Sequence, residues 1–235
     1  MTAGSAGGGP RKPRSRSRLR AFFDLLSVAV AQLRFKGSGD YWEARYRLRG
    51  TSGDGSYGES ARFKADFVNE FVERHGVKSV VEFGCGDGAQ LEVLVLPEYL
   101  GVDVSSAAVD ICRRRFAGDS RKRFVALPDY LPGRFDVAMS LDVAYHLVEE
   151  DVFEDYMHRL FNAAGQHVLI YSTDFDGSDV QTARHVRHRD ISGYCARTFP
   201  AFTKVSESEA FPAGVADGPR FLVYKRMVGE QDSPA

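Results

Sequence analysis

Glu82, Gly84, Gly86 and Gly88 alternate directly after the apolar pair Val80-Val81, in the stretch Val80-Val81-Glu82-Phe83-Gly84-Cys85-Gly86-Asp87-Gly88. Glycines spaced in this way let a chain leaving a strand take positive φ and approach a ligand that a Cβ would hold off. A carboxylate at the strand's end accepts hydrogen bonds from a cationic or hydroxyl group. With helix-compatible residues from Ala89 onward, the spacing predicts a strand that bends sharply under a nucleotide-like ligand and feeds a helix. Asp103 closes a second apolar run, Tyr99 to Val102. A carboxylate there can accept both hydroxyls of a ribose.

Two ligand classes compete for this bend. Gly84, Gly86 and Ala89 satisfy the dinucleotide pattern G-x-G-x-x-G/A, and Asp103 follows near the distance of its ribose acid, which fits a short NAD(P)-dependent oxidoreductase. Against it, the chain has no Tyr-x-x-x-Lys pair of the kind compact dehydrogenases use. Glu82 and the extra Gly88 give E-x-G-x-G-x-G instead.

A second set of chemical residues lies in Leu141-Asp142-Val143-Ala144-Tyr145-His146-Leu147, where an acid, a phenol and an imidazole are grouped. Asp142 and His146 are candidates for orienting an acceptor or taking its proton. A third set is His185-Val186-Arg187-His188-Arg189. His185 and His188 could share a helical face, as catalytic residues or beside Arg187 and Arg189 in binding an anionic or polyhydroxylated acceptor. No acidic third ligand is firmly placed, so no metal site is assigned. Cys85, Cys112 and Cys195 are scattered, with no C-x-x-C spacing, which implies neither zinc nor a disulfide framework.

The elements that must carry these groups follow from periodicity. Strands are predicted near 80–83, 99–103, 123–127, 135–140 and 166–172, with a closing pair near 203–208 and 221–225. Helical spacing marks Ala61 to His75 and Val152 to Ala164, and residues 173–200 are expected to surround one short helix. Gly37 to Ser60 is expected to be a lid or binding connection, because long loops in compact domains usually serve a site and this one is rich in aromatics.

Taken in order, the E-x-G-x-G-x-G run of Glu82 to Gly88 (similar to motif I of that family), the Asp103 strand and the run S140-L-D-V-A-Y-H-L147 resemble the class I S-adenosylmethionine-dependent methyltransferases over about residues 57 to 227. The resemblance implies an α/β fold with a doubly wound, mostly parallel seven-stranded sheet whose last strand is antiparallel. It implies a cofactor site of Glu82, Gly84, Cys85, Gly86, Gly88, Asp103, Val104, Asp129, Tyr130 and Ser140, with Asp129 and Tyr130 where such enzymes contact adenine. Tyr57 and Lys64 are expected at the cofactor's carboxylate end. The arrangement Y41-W-x-x-R-Y46, then G55-S-Y-G58, is similar to a bacterial subgroup that accompanies polysaccharide or natural-product biosynthesis. The implied activity is O-methylation of a small hydroxylated metabolite or saccharide. A non-catalytic scaffold keeping the fold is a further alternative.

Bulk properties fit one domain. The 235 residues are 43% hydrophobic, with net charge −1. Residues 1–18 are expected to be a disordered basic tail, residues 19–56 an N-terminal helix and lid, and residues 57–235 the catalytic domain. The apolar part of Leu19 to Lys36 is too short to span a bilayer, so residues 11–36 are expected to contact a membrane surface or a protein. Few cysteines and an acidic remainder argue for a cytoplasmic setting and against nucleic acid.

Overall fold

The computed structural model describes residues 37–48, 50–177 and 183–227. The expected tail over 1–18 and helix over 19–36 lie outside them. Seven strands form one sheet: β1 (Ser79–Phe83), β2 (Glu98–Asp103), β3 (Lys122–Ala126), β4 (Phe135–Leu141), β5 (Ala164–Ser172), β6 (Phe202–Glu207) and β7 (Arg220–Arg226). Their order is β3-β2-β1-β4-β5-β7-β6. Strands β1 to β5 pair in parallel, and β7 runs antiparallel to both β5 and β6. This is the expected class I methyltransferase architecture.

Five helices accompany the sheet among the described residues: α1 (Ser38–Arg47), α2 (Gly58–Arg74), α3 (Ser106–Arg115), α4 (Glu150–Ala163) and α5 (Ile191–Thr198). Parallel strands covered on both faces must be apolar almost throughout, and β4 and β5 each bury five or more consecutive residues. One face packs against Phe153, Met157, Leu160 and Phe161 of α4 and Ile191 and Cys195 of α5. The other packs against Ala65, Val68 and Phe71 of α2 and Val109 and Cys112 of α3. Truncating a fully buried phenylalanine such as Phe153 costs about 3–5 kcal/mol, so these faces fix the strand order. That order reverses between β1 and β4, and the crevice at such a switch point is where open α/β sheets bind ligands.

Three expectations are corrected. The glycine bend does not feed a full helix. Only one 3-10 turn, Gln90–Glu92, follows it, and β2 begins at Glu98. Pro97 and the β-branched Val93 and Val95 disfavour a longer helix, while Leu91, Leu94 and Leu96 fill that face of the core. The stretch Gly37 to Ser60 is not all loop, because Ser38–Arg47 is α1. Asp40 in its first turn and Arg45 and Arg47 in its last suit the helix dipole, and Tyr41, Arg45 and Tyr46 share its buried side. Finally, residues 183–190 are not helical, so His185 and His188 share no helical face. The helix starts at Ile191, where the Asp190 side chain accepts from Gly193 N–H.

Candidate active site

A cavity of about 270 Å³ opens at the switch point, roofed by α1. Its floor is the bend after β1. Gly84 and Gly86 have φ of 83° and 56°. A Cβ on Gly84 would strike Val143, and one on Gly86 would strike Ser52 and Tyr46, so these positions need glycine for both backbone and space.

Two buried carboxylates flank the bend. Glu82 accepts the Tyr99 hydroxyl at 2.5 Å. Burial pushes its carboxyl up to about 7, against the opposing effects of Tyr99 and Lys64. Asp103, at the end of β2, accepts Gly86 N–H at 2.8 Å and Ser105 N–H at 2.9 Å. Burial pushes it up to about 6 although both bonds oppose that. Each of its oxygens keeps a further lone pair. Two costly carboxylates lining one cavity mark a site built for a ligand that donates hydrogen bonds or carries positive charge.

Beyond β4, Asp142 has φ 60°, the one positive φ outside glycine among the described residues. Its carboxylate is ion-paired with Lys64, whose side chain is 1% exposed, and accepts the Tyr145 hydroxyl at 2.8 Å. His146 follows in the turn Ala144–His146. Its Nδ1 lies 3.0 Å from the His185 carbonyl. A carbonyl only accepts, so Nδ1 carries the proton and Nε2 presents a lone pair. Burial pushes His146 down to about 4, which keeps it neutral.

The structure thus brings Lys64, Glu82, Gly84, Cys85, Gly86, Asp103, Val104, Asp142 and His146 to one cavity wall. It places the remaining expected residues elsewhere. Gly88 turns at φ 72° against Phe116 and Cys112. Tyr57 donates to Asp87 at 3.0 Å. The fully buried Ser140 Oγ lies 2.6 Å from the Tyr156 hydroxyl. Asp129 is exposed, and Tyr130 is buried edge-on to Phe83. His185 stacks on Tyr41 at 4.5 Å, and His188 Nδ1 lies 2.8 Å from Thr173 Oγ1. Neither histidine lines the cavity. Arg187 and Arg189 are drawn onto Glu150 and onto the carbonyls of Leu147 and Val148, so they clamp two loops rather than await an anion.

Residues 81–169 match the model of a methyltransferase domain family. The strand order around that segment is that of the class I S-adenosylmethionine-dependent methyltransferase fold. Solved structures share its fold at low identity. The N-methyltransferase NodS of Bradyrhizobium japonicum WM9, in complex with S-adenosyl-L-homocysteine, aligns with a TM-score of 0.64 and 16% identity over 82% of this chain and 100% of that one. Magnesium protoporphyrin IX methyltransferase of Synechocystis PCC 6803 gives 0.57 and 17%, over 89% and 98%. A small RNA methyltransferase gives 0.56 and 12%, over 75% of this chain and 27% of that one. No curated protein sequence matches.

Several residues at this site had no role assigned to them from the sequence. Trp42 of α1 lines the cavity edge-on to His146, with ring centroids 5.0 Å apart. The start of α1 is tied down where Ser38 N–H and Oγ donate to Glu149 at 2.8 and 2.5 Å. Glu43 accepts the Ser105 hydroxyl at 2.5 Å. Asp87, buried within motif I, accepts the Ser52 hydroxyl at 2.7 Å as well as that of Tyr57. The motif's own acid could have flagged that staple; nothing in the sequence paired Ser38 with Glu149, 111 positions away. No group of three or more His, Cys, Asp or Glu able to hold a metal occurs among the described residues. None of the described helices is long and apolar enough to cross a membrane.

Proposed function

We propose that this chain methylates a hydroxyl of a small metabolite or saccharide, in a bacterial biosynthetic pathway, with S-adenosylmethionine as donor. The observation that carries the cofactor reading is the glycine bend flanked by buried Glu82 and Asp103 in one cavity. The outward lone pairs of Asp103 suit the two ribose hydroxyls, Glu82 suits the cationic end of the amino acid, and Lys64 suits its carboxylate. S-adenosylmethionine supplies an electrophilic methyl group on a sulfonium, a good leaving group.

The residues then have to align the acceptor, exclude water and remove a proton. Trp42 and α1 roof the cavity and keep water from it. His146 holds a neutral imidazole with Nε2 unprotonated, and it takes the acceptor's hydroxyl proton there. Asp142, braced by Lys64 and Tyr145, orients the acceptor hydroxyl. The fold's neighbours include an N-methyltransferase and an RNA methyltransferase, and the hydroxyl acceptor rests on this placement of His146.

Calorimetry with S-adenosyl-L-homocysteine tests the cofactor: binding is expected, and its absence at millimolar concentration ends the reading. Asp103→Ala is expected to weaken that binding at least tenfold, by loss of charge-assisted hydrogen bonds. A mass-shift screen for the gain of one CH2 group on hydroxylated acceptors tests the second half.

A further inference from the structure

A second pocket, of about 420 Å³, is formed by the C-terminal half of α2 and the strands β5, β6 and β7, and it shares no lining residue with the active-site cavity. His167, the fourth residue of β5, lines it. That end of the strand lies away from the switch-point crevice, which forms beyond the carboxyl ends. His167 is only 5% exposed, and its ring makes no hydrogen bond among the described residues. Its neighbours are the Phe71 ring, edge-on at 5.2 Å, and the His75 ring at 5.0 Å. Burial, followed by His75 and Lys225, pushes it down to about 4, so the ring is neutral and keeps one unused N–H donor. A buried polar ring without a partner is costly. Leu169, on the same face of β5 two residues on, is apolar core, so packing alone does not ask for a histidine here.

Lys225 pairs with His167 in the β5–β7 ladder, is exposed, and makes no ion pair among the described residues. Glu70 is the one acid lining the pocket, and it is already paired with Arg74, one turn on. Lys225, His167 and His75, the C-cap of α2, thus bring donors from three elements to one pocket with no free carboxylate to answer them. Phe67, Phe71 and Val205, the last 50% exposed, add apolar surface to the same lining. A phosphate monoester offers three terminal acceptor oxygens and up to two charges, where a carboxylate offers two oxygens and one charge. We propose that this pocket binds a small phosphomonoester with an apolar organic part. Lys225 meets the charge, His75 and His167 donate to the other oxygens, and the apolar lining takes the organic part. This site is independent of the methyl-transfer reading.

The test is calorimetry on the full chain near neutral pH with phenyl phosphate, benzoate and inorganic phosphate. Phenyl phosphate should bind about fivefold more tightly than either of the others, which lack the third oxygen or the apolar part. Lys225→Ala and His167→Leu should each weaken it about tenfold, by loss of a charge-assisted hydrogen bond. Lys204→Ala removes the same charge from β6, but Lys204 is held by Glu207 and Ser192 and does not line the pocket, so affinity should be unchanged. Lys225 is exposed, so its variant should melt like wild type and keeps the test decisive even where His167→Leu folds poorly. Binding should also move the His167 titration upward from about 4 in NMR, because an adjacent anion favours the imidazolium. No binding of phenyl phosphate at about 10 mM overturns the proposal. So does equal binding of benzoate or inorganic phosphate, an unmoved His167 titration, or an equal loss in Lys204→Ala and Lys225→Ala.

Discussion

Glu82 is held where its charge is costly. A carboxyl whose folded pKa is raised binds protons more tightly when folded, so its ionised form destabilises the fold. That loss sets in as pH rises from about 4.5 through about 7. Glu82→Gln keeps an acceptor for Tyr99 and removes the charge. It should therefore stabilise the ligand-free protein at pH 8 by roughly 1–3 kcal/mol in urea denaturation, while weakening S-adenosyl-L-homocysteine binding. A variant no more stable than wild type would show that Glu82 bears no such burden. His146 has the opposite sign: burial lowers it to about 4, so it stays neutral throughout the working range. Its acid limb in kcat should fall near that value rather than at the ordinary 6.5, and His146→Ala should lower kcat about 100-fold. An equal KM effect with unchanged kcat would assign it to binding instead.

At the scale of elements, α1 is a roof pinned at its start by Glu149, in the middle by Ser105 and beyond its end by the Tyr46–Ser52–Asp87 chain. A ligand on the floor is enclosed by it. Ser38→Ala removes the hydroxyl that bonds Glu149 and receives Val148 N–H. It should cost about 1 kcal/mol and speed S-adenosyl-L-homocysteine dissociation severalfold in stopped-flow displacement; unchanged dissociation would show that the roof does not gate release. This element was not legible in the sequence, because Gly37 and Gly50 flank it and Gly39 sits in its first turn as turn signals, while its helical stripe is short and aromatic. The strands were legible, since each buried one is an apolar run closed by a polar residue at the site. Glu82, Gly84, Gly86 and Asp103 could be read for the same reason: a single local bend brings them together. His185 and His188 could not, because their neighbours come from distant loops.

The whole molecule combines two well-packed faces with one internally costly crevice. Glu82 and Asp103 together make ligand-free stability depend on pH, each losing ground above its ordinary carboxylate value and up to about 7 and 6. The double variant Glu82→Gln/Asp103→Asn should match wild type near pH 4 and exceed it increasingly from pH 5 to 8 in thermal melts. Parallel curves would refute the burden. Saturation with S-adenosyl-L-homocysteine at 100 times its Kd should restore about 2.7 kcal/mol to wild type and little to the variant.

Trp42 is the only tryptophan in the chain, and it stands in the cavity wall between the His146 ring and the Arg45 guanidinium, 5.2 Å from its ring centre. All indole emission from the native protein therefore originates in the wall of the cavity proposed to hold donor and acceptor. Occupancy, roof displacement and exclusion of iodide quencher become readable as light, with no label attached.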